Sequence, residues 1–320
     1  MPASRLAFLK QKNGALRFPG QTAFLVGATS GIGEGIARRL AKAEFNVIIA
    51  GRNAGRGATV VKELKSMFPG GDHLFVSLDA QYIGGIRGLS HQLPQVDKLI
   101  LTQGIATLQG RTLTSEGIDQ KMALHYYGRM ALIQEFLPRL RQSTQSPRVL
   151  SVFSAGLPSI VSSHNMTHTN AGVHKPYEGY REDPDLRHSY TLQNAANAAG
   201  FYNDLMLDAW SQEDANAGIA FAHAAPGIVA TNWGTEMPWA VRMALKPLKH
   251  FLAKSPDDCA EFMCDFLLDA SAFPPMSGVH LIDQHAGVAK KTSAHTPEAA
   301  AFIYHHTLSV LDQAEHSHRE

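Results

Sequence analysis

Short apolar runs of strand length recur through the whole chain, at Thr22 to Val26, Asn46 to Ala50, His73 to Ser77, Lys98 to Thr102, Arg148 to Phe153, Ile219 to His223 and Val279 to Ile282. Between them stand stretches with helical spacing, at about Ile32 to Lys42, Ala54 to Met67, Ser115 to Arg141, Ser189 to Gln212 and Pro256 to Ala270. Strands separated by helix-length segments cannot close hairpins, so the alternation argues for a parallel sheet with helices on its faces. Ser255 with Pro256, and Thr296 with Pro297, mark the starts of the last two helices. No Gly-, Pro- or Ser-rich linker divides the chain, so residues 1–320 are expected to form a single α/β domain around a doubly wound parallel sheet.

The first of these runs leads into Gly27-Ala28-Thr29-Ser30-Gly31-Ile32-Gly33. Gly27 lets the chain turn sharply out of the strand, Gly31 lets backbone approach a pyrophosphate, and Gly33 lets the next helix pack closely on the sheet. The helix start adds free N–H donors and positive dipole. The spacing is G-x-x-x-G-x-G, one residue longer between the first two glycines than G-x-G-x-x-G, and it stands in strand, turn, helix, strand order. Together these features predict a Rossmann-type dinucleotide site. At the end of the second strand the sequence reads Ala50-Gly51-Arg52-Asn53. No carboxylate stands there to repel a 2′-phosphate, and Arg52 offers a planar charged fork for one, so NADP(H) is favoured over NAD(H).

Composition narrows the class further. A net charge of +1 with no basic cluster gives no reason to expect nucleic acid. The two cysteines, Cys259 and Cys264, fit neither a disulfide framework nor a zinc knuckle, and point to a reduced, cytoplasmic setting. Leu6-Ala7-Phe8-Leu9 is too short for a signal-peptide core, and no apolar run approaches membrane-spanning length. His164, His168 and His174 invite a metal reading, but the surrounding Asn, Thr and Gly argue against the helix that would align them, so no metal is expected.

Several further motifs follow in order. Asp79 ends the third strand, Leu101-Thr102-Gln103-Gly104 follows the fourth, Ser154 ends the fifth, Tyr190 lies in Ser189-Tyr190-Thr191-Leu192-Gln193-Asn194, and Pro226-Gly227 precedes Thr231. From about Thr22 to Ile282 this series resembles the short-chain dehydrogenase/reductase family, in a divergent form similar to members found in fungi. The resemblance implies that Gly27, Thr29, Ser30, Gly31, Ile32, Gly33, Arg52, Asp79, Gly104, Pro226, Gly227 and Thr231 hold the cofactor. It implies that Tyr190 gives a proton to a carbonyl oxygen which Ser154 holds, while the nicotinamide gives hydride to the carbon.

Two catalytic positions depart from the family pattern. The lysine four residues after the tyrosine is Asn194, and the helix-bending asparagine is His125. A tyrosine has a pKa near 10, and losing a neighbouring cation removes about 1 to 3 pKa units of help toward the tyrosinate. Reduction needs the neutral phenol and oxidation needs the base, so the site should favour reducing a ketone or aldehyde over oxidising the matching alcohol. His125 could relay a proton or simply fill a helix interface, and Lys175 or His188 could replace the missing cation. The alternative is a catalytically degenerate, cofactor-binding sensor or scaffold. Residues 157–188 read as an insertion at the mouth of the site. Residues 232–254, apolar and basic, read as a lid over an apolar substrate, with peripheral membrane docking the less favoured reading. The resemblance suggests a homodimer through the helices of Ser115 to Arg141 and Ser189 to Gln212, or a monomer where the insertion covers that surface.

Overall fold

The computed structural model describes residues 2–153, 175–231 and 253–317. Seven parallel strands form one sheet: β1 (Thr22–Val26), β2 (Asn46–Gly51), β3 (Leu74–Ser77), β4 (Lys98–Leu101), β5 (Arg148–Val152), β6 (Ala220–Ala224) and β7 (His280–Ile282). Their order across the sheet is β3-β2-β1-β4-β5-β6-β7. Each is one of the expected apolar runs, moved by a residue at one or both ends where not identical. Val26 lies opposite Ala50 on one side and Leu101 on the other, so the chain leaves β1 toward β2 and later returns to β4. That reversal opens a crevice above the C-terminal ends of β1 and β4.

Alternation along each strand feeds two cores. Phe24, Val26, Leu99 and Leu101 face one, covered by α5 (Gly128–Gln142), α6 (Leu192–Ser211) and α8 (Pro297–Ser317). Ala23, Leu25, Ile100 and Leu150 face the other, covered by α1 (Pro2–Ala15), α2 (Gly31–Lys42), α3 (Ala54–Met67) and α7 (Pro256–Leu268). The start of α7 is the one its sequence announced: Ser255 Oγ accepts from the Asp258 N–H at 3.0 Å, with Pro256 in the first turn. Helix α1 was not anticipated, because it has no apolar stripe. It buries Leu9 in the second core and is tied to α7 and its C-cap by polar contacts, with Lys12 Nζ 2.6 Å from both Asp265 and Asp269.

Two expected helices begin later than their sequence suggested. The stretch Ser115 to Arg141 starts only at α4 (Gln120–Met122), where Asp119 accepts from the N–H of Lys121 and Met122, and a π-helical turn (Ala123–Tyr127) separates it from α5. The stretch Ser189 to Gln212 starts at Leu192, where Thr191 Oγ1 accepts from the Asn194 N–H at 2.9 Å. Helix α8 lies along α6 and the π-helical turn: Tyr126 bonds Thr307, Tyr127 Oη is 3.1 Å from His306, and Tyr304 donates to Glu213 at 2.9 Å. Of the two segments that break the strand–helix rhythm, residues 157–174 and 232–252 lie outside the described residues, and with them His164, His168, His174 and Trp239.

Candidate functional site

The glycine turn after β1 has the geometry a dinucleotide needs. Gly27 has φ of 84°, and a Cβ there would sit 2.6 Å from the Gln103 backbone nitrogen, so β1 and β4 meet backbone to backbone. A Cβ on Gly33 would meet Thr102 Oγ1 at 2.4 Å, which is the close helix-to-sheet approach the spacing implied. Ser30 stands at the N-cap of α2 without capping it, leaving the first-turn N–H groups of that helix to a ligand. Thr231 closes over the same turn, its Cγ2 3.0 Å from where a Gly31 Cβ would be, and Gly227 in the preceding Pro226-Gly227 loop has φ of 69°. Ile32 is half-buried behind the turn.

The outer end of the crevice lies above β2 and β3. Thr29 packs on Gly51, the last residue of β2, and Arg52 and Arg56 follow on the surface. Among the described residues neither guanidinium makes an ion pair. Asp79, after β3, is half-buried and accepts from the Gln81 N–H at 3.2 Å and the Gln81 side chain at 3.1 Å. The residues present therefore fit a dinucleotide: an uncapped helix start, a turn with no room for side chains, and unpaired cations at one end.

Tyr190 stands two residues ahead of α6 and not on it. It does not open that helix, and it shares no helical face with Asn194. Asn194 sits in the first turn of α6 and its Nδ2 donates back to the Ser189 carbonyl at 2.7 Å, so this amide steadies the approach to the helix. The approach itself is organised by Asp183, which the sequence reading missed. Its carboxylate accepts from the N–H of Arg187, His188 and Ser189 at 2.7, 2.9 and 2.8 Å, and from Ser189 Oγ at 2.8 Å. Partial burial opposes the charge, but these donors outweigh it and hold the carboxyl at about 2. Tyr177, whose spacing to Arg181 mimics a Tyr-x-x-x-basic pair, is a buried strut whose Oη is 2.6 Å from Ser189 Oγ.

The Tyr190 hydroxyl is buried, and among the described residues it has no partner in good hydrogen-bond geometry. Burial raises its pKa, and the nearby Asp119 carboxylate raises it further, against a smaller opposing effect of Arg111. Lys121 stands over its ring, with Nζ 5.6 Å from the centroid, while Lys175 and His188 are exposed. Position 154, the expected oxygen-holding serine, lies outside the described residues. Phe153, immediately before it, packs on the His125 ring with centroids 4.8 Å apart.

His125 has a task other than proton relay. Its Nε2 accepts the Ile105 N–H at 3.0 Å and so fixes the turn that follows Gly104. Burial, then the charges of Arg129 and Lys121, push its pKa down to about 3, which keeps the imidazole neutral. Arg129, a fully buried guanidinium, ties the strand ends together below the site. It donates to the carbonyls of Leu101 at 3.1 Å, Gln103 at 2.5 Å and Val152 at 2.9 Å, and to Ser151 Oγ at 2.8 Å. Ser151 donates to Asn203 of α6, whose Nδ2 takes the His125 carbonyl at 3.0 Å. Cys259 and Cys264 are buried, and burial raises both thiols, that of Cys259 to about 12.

A seven-stranded parallel sheet with a glycine turn at its switch point is the architecture of a dinucleotide-binding α/β protein. Residues 21–162 match the family model described as short chain dehydrogenase. The chain is 32% identical over 234 residues to an oxidoreductase of Emericella nidulans, a match covering 71% of this chain and 64% of that protein, less than two thirds of its length. It is 26% identical to the polyprenol dehydrogenase of Mus musculus, covering 82% of this chain and 74% of that one. Its fold is shared with an NADPH-bound short chain oxidoreductase of Pseudomonas aeruginosa described as containing an atypical catalytic center, at 18% identity and a TM-score of 0.55, over 80% of this chain and 93% of that one. Over residues 21–162 the chain matches the short-chain dehydrogenase/reductase family, whose fold it shares. Among the described residues, no helix is long and apolar enough to cross a membrane.

Proposed function

We infer that this protein is an NADP(H)-dependent oxidoreductase that reduces the carbonyl of an apolar ketone or aldehyde. The observation that carries the reading is the Tyr190 phenol, its hydroxyl buried beside Asp119 and held protonated well above neutral pH. A phenol in that state donates a proton to a developing alkoxide and makes a poor base, so reduction is the direction this site serves. Bound NADPH supplies the hydride. Arg52 receives its 2′-phosphate, the uncapped start of α2 its pyrophosphate, and Asp79 its adenine. Ser154 is assigned the substrate oxygen on the family pattern. NADPH in the Pseudomonas aeruginosa structure and a polyprenol in the name of the mouse relative support the cofactor and the apolar substrate class.

The test is a fluorescence titration with NADPH, followed by NADPH consumption against a panel of apolar ketones, aldehydes and quinones. Wild type should bind and turn over. Tyr190→Phe should bind NADPH within about twofold of wild type and lose on the order of a hundredfold or more in turnover. Binding without turnover by the wild-type protein would instead identify a cofactor-binding sensor.

A further inference from the structure

Gln103 stands where the family pattern has a small residue before Gly104, and its side chain is the least explained polar group in the crevice. The residue is 6% exposed, and among the described residues neither Oε1 nor Nε2 has a hydrogen-bond partner. A buried amide with both atoms unmet is costly, and native proteins keep such groups where a ligand completes them. The backbone around it is over-determined: the Gln103 carbonyl accepts from Arg129, its nitrogen lies against Gly27, and the Ile105 N–H is held by His125. Thr102 Oγ1 faces α2, donating to the Val26 carbonyl at 3.0 Å and lying close to Gly33. Gln103 lies two residues past the end of β4, and continuing that strand's alternation, in which Leu99 and Leu101 face the core under α5 and α6, turns it to that face. Its position above β4, on the far side of β1 from Arg52, is the inner half of the crevice.

We propose that Gln103 is a cofactor-binding residue particular to this chain, whose amide donates to and accepts from the nicotinamide-riboside half of NADP(H). This rests on the cofactor reading above. One acceptor and one two-hydrogen donor on a rigid turn match a ligand that offers both in turn, as the ribose hydroxyls and the carboxamide of that half do. With Asn194 committed to the Ser189 carbonyl, Gln103 is the amide free to take them.

The experiment uses Gln103→Met, which keeps the length and removes both polar atoms, and Gln103→Ala, which places a small residue there. Melting temperature is measured without ligand. Dissociation constants are measured by calorimetry for NADPH and for adenosine 2′,5′-bisphosphate, which lacks the nicotinamide-riboside half. A ligand-binding amide predicts opposite signs: the ligand-free protein melts at the same temperature or higher, NADPH binds about tenfold or more weakly, and adenosine 2′,5′-bisphosphate binds as to wild type. NADPH affinity within about twofold of wild type overturns the proposal. So does an equal loss for both ligands, or a fall in melting temperature in both variants that tracks the loss of affinity, since each makes the amide structural. Failure of the wild-type protein to bind either ligand overturns the cofactor reading itself, a result separable from the others.

Discussion

At the scale of single residues, the NADP(H) reading turns on Arg52, which is exposed beside Arg56 at the end of β2 and makes no ion pair among the described residues. Charge-assisted contacts to phosphate contribute on the order of 1.5 to 3 kcal/mol each. Arg52→Glu should therefore weaken NADPH by about tenfold or more while leaving NADH within a few-fold, as read from dissociation constants of the two. The close backbone approaches at Gly27 and Gly33 were legible in the sequence because each follows from a spacing. His125 and Asn194 were legible as departures but not as roles, since what each does depends on a partner elsewhere: the Ile105 N–H for one, the Ser189 carbonyl for the other. Gln103 was legible as a departure from the family's small residue but not as a role, because only three-dimensional structure shows that its amide is both buried and unmatched among the described residues.

At the scale of elements, the segment from Asp183 to Thr191 decides where Tyr190 stands. Its carboxylate pKa of about 2 lies below the ordinary 3.8, so the donors to Asp183 contribute stability that is fully present above pH 3.8 and is lost as pH falls toward 2. Amide hydrogen exchange at Arg187, His188 and Ser189 should accelerate over that window ahead of the sheet. In Asp183→Ala the same three amides should exchange fast at neutral pH, with turnover reduced and the NADPH dissociation constant little changed. Exchange that stays slow in the variant would show that other contacts hold the segment. The strands and most helix starts were readable because apolar runs and capping residues are local. The late start of α6 was not, since Ser189 and Tyr190 continue a helical pattern and are drawn out of it by an aspartate upstream. Helix α1 escaped notice for the converse reason, being a helix whose anchoring is in good part ionic and distant.

At the scale of the whole molecule, α8 and residues 177–187 cover the outer face of α6, through Tyr180 on Phe201 and Phe302, Tyr127 on Asp185 and His306, and His295 on Asp204. The sequence left open whether this surface would pair two copies or be covered. The cover comes from the last helix as well as from the insertion. The protein should run as a monomer in sedimentation, and removing residues 297–320 should expose α6 and produce dimers or aggregates; a wild-type dimer that survives dilution would mean a different face associates. The account as a whole rests on Tyr190 as a protonated donor in an NADP(H) site. It is tested most directly by measuring NADPH-dependent carbonyl reduction and NADP-dependent oxidation of the matching alcohol from about pH 6 to about pH 9. The account predicts reduction that stays nearly flat across the range and oxidation that remains slow at neutral pH. Efficient alcohol oxidation near pH 7, rising with an apparent pKa in the neutral range, would contradict it.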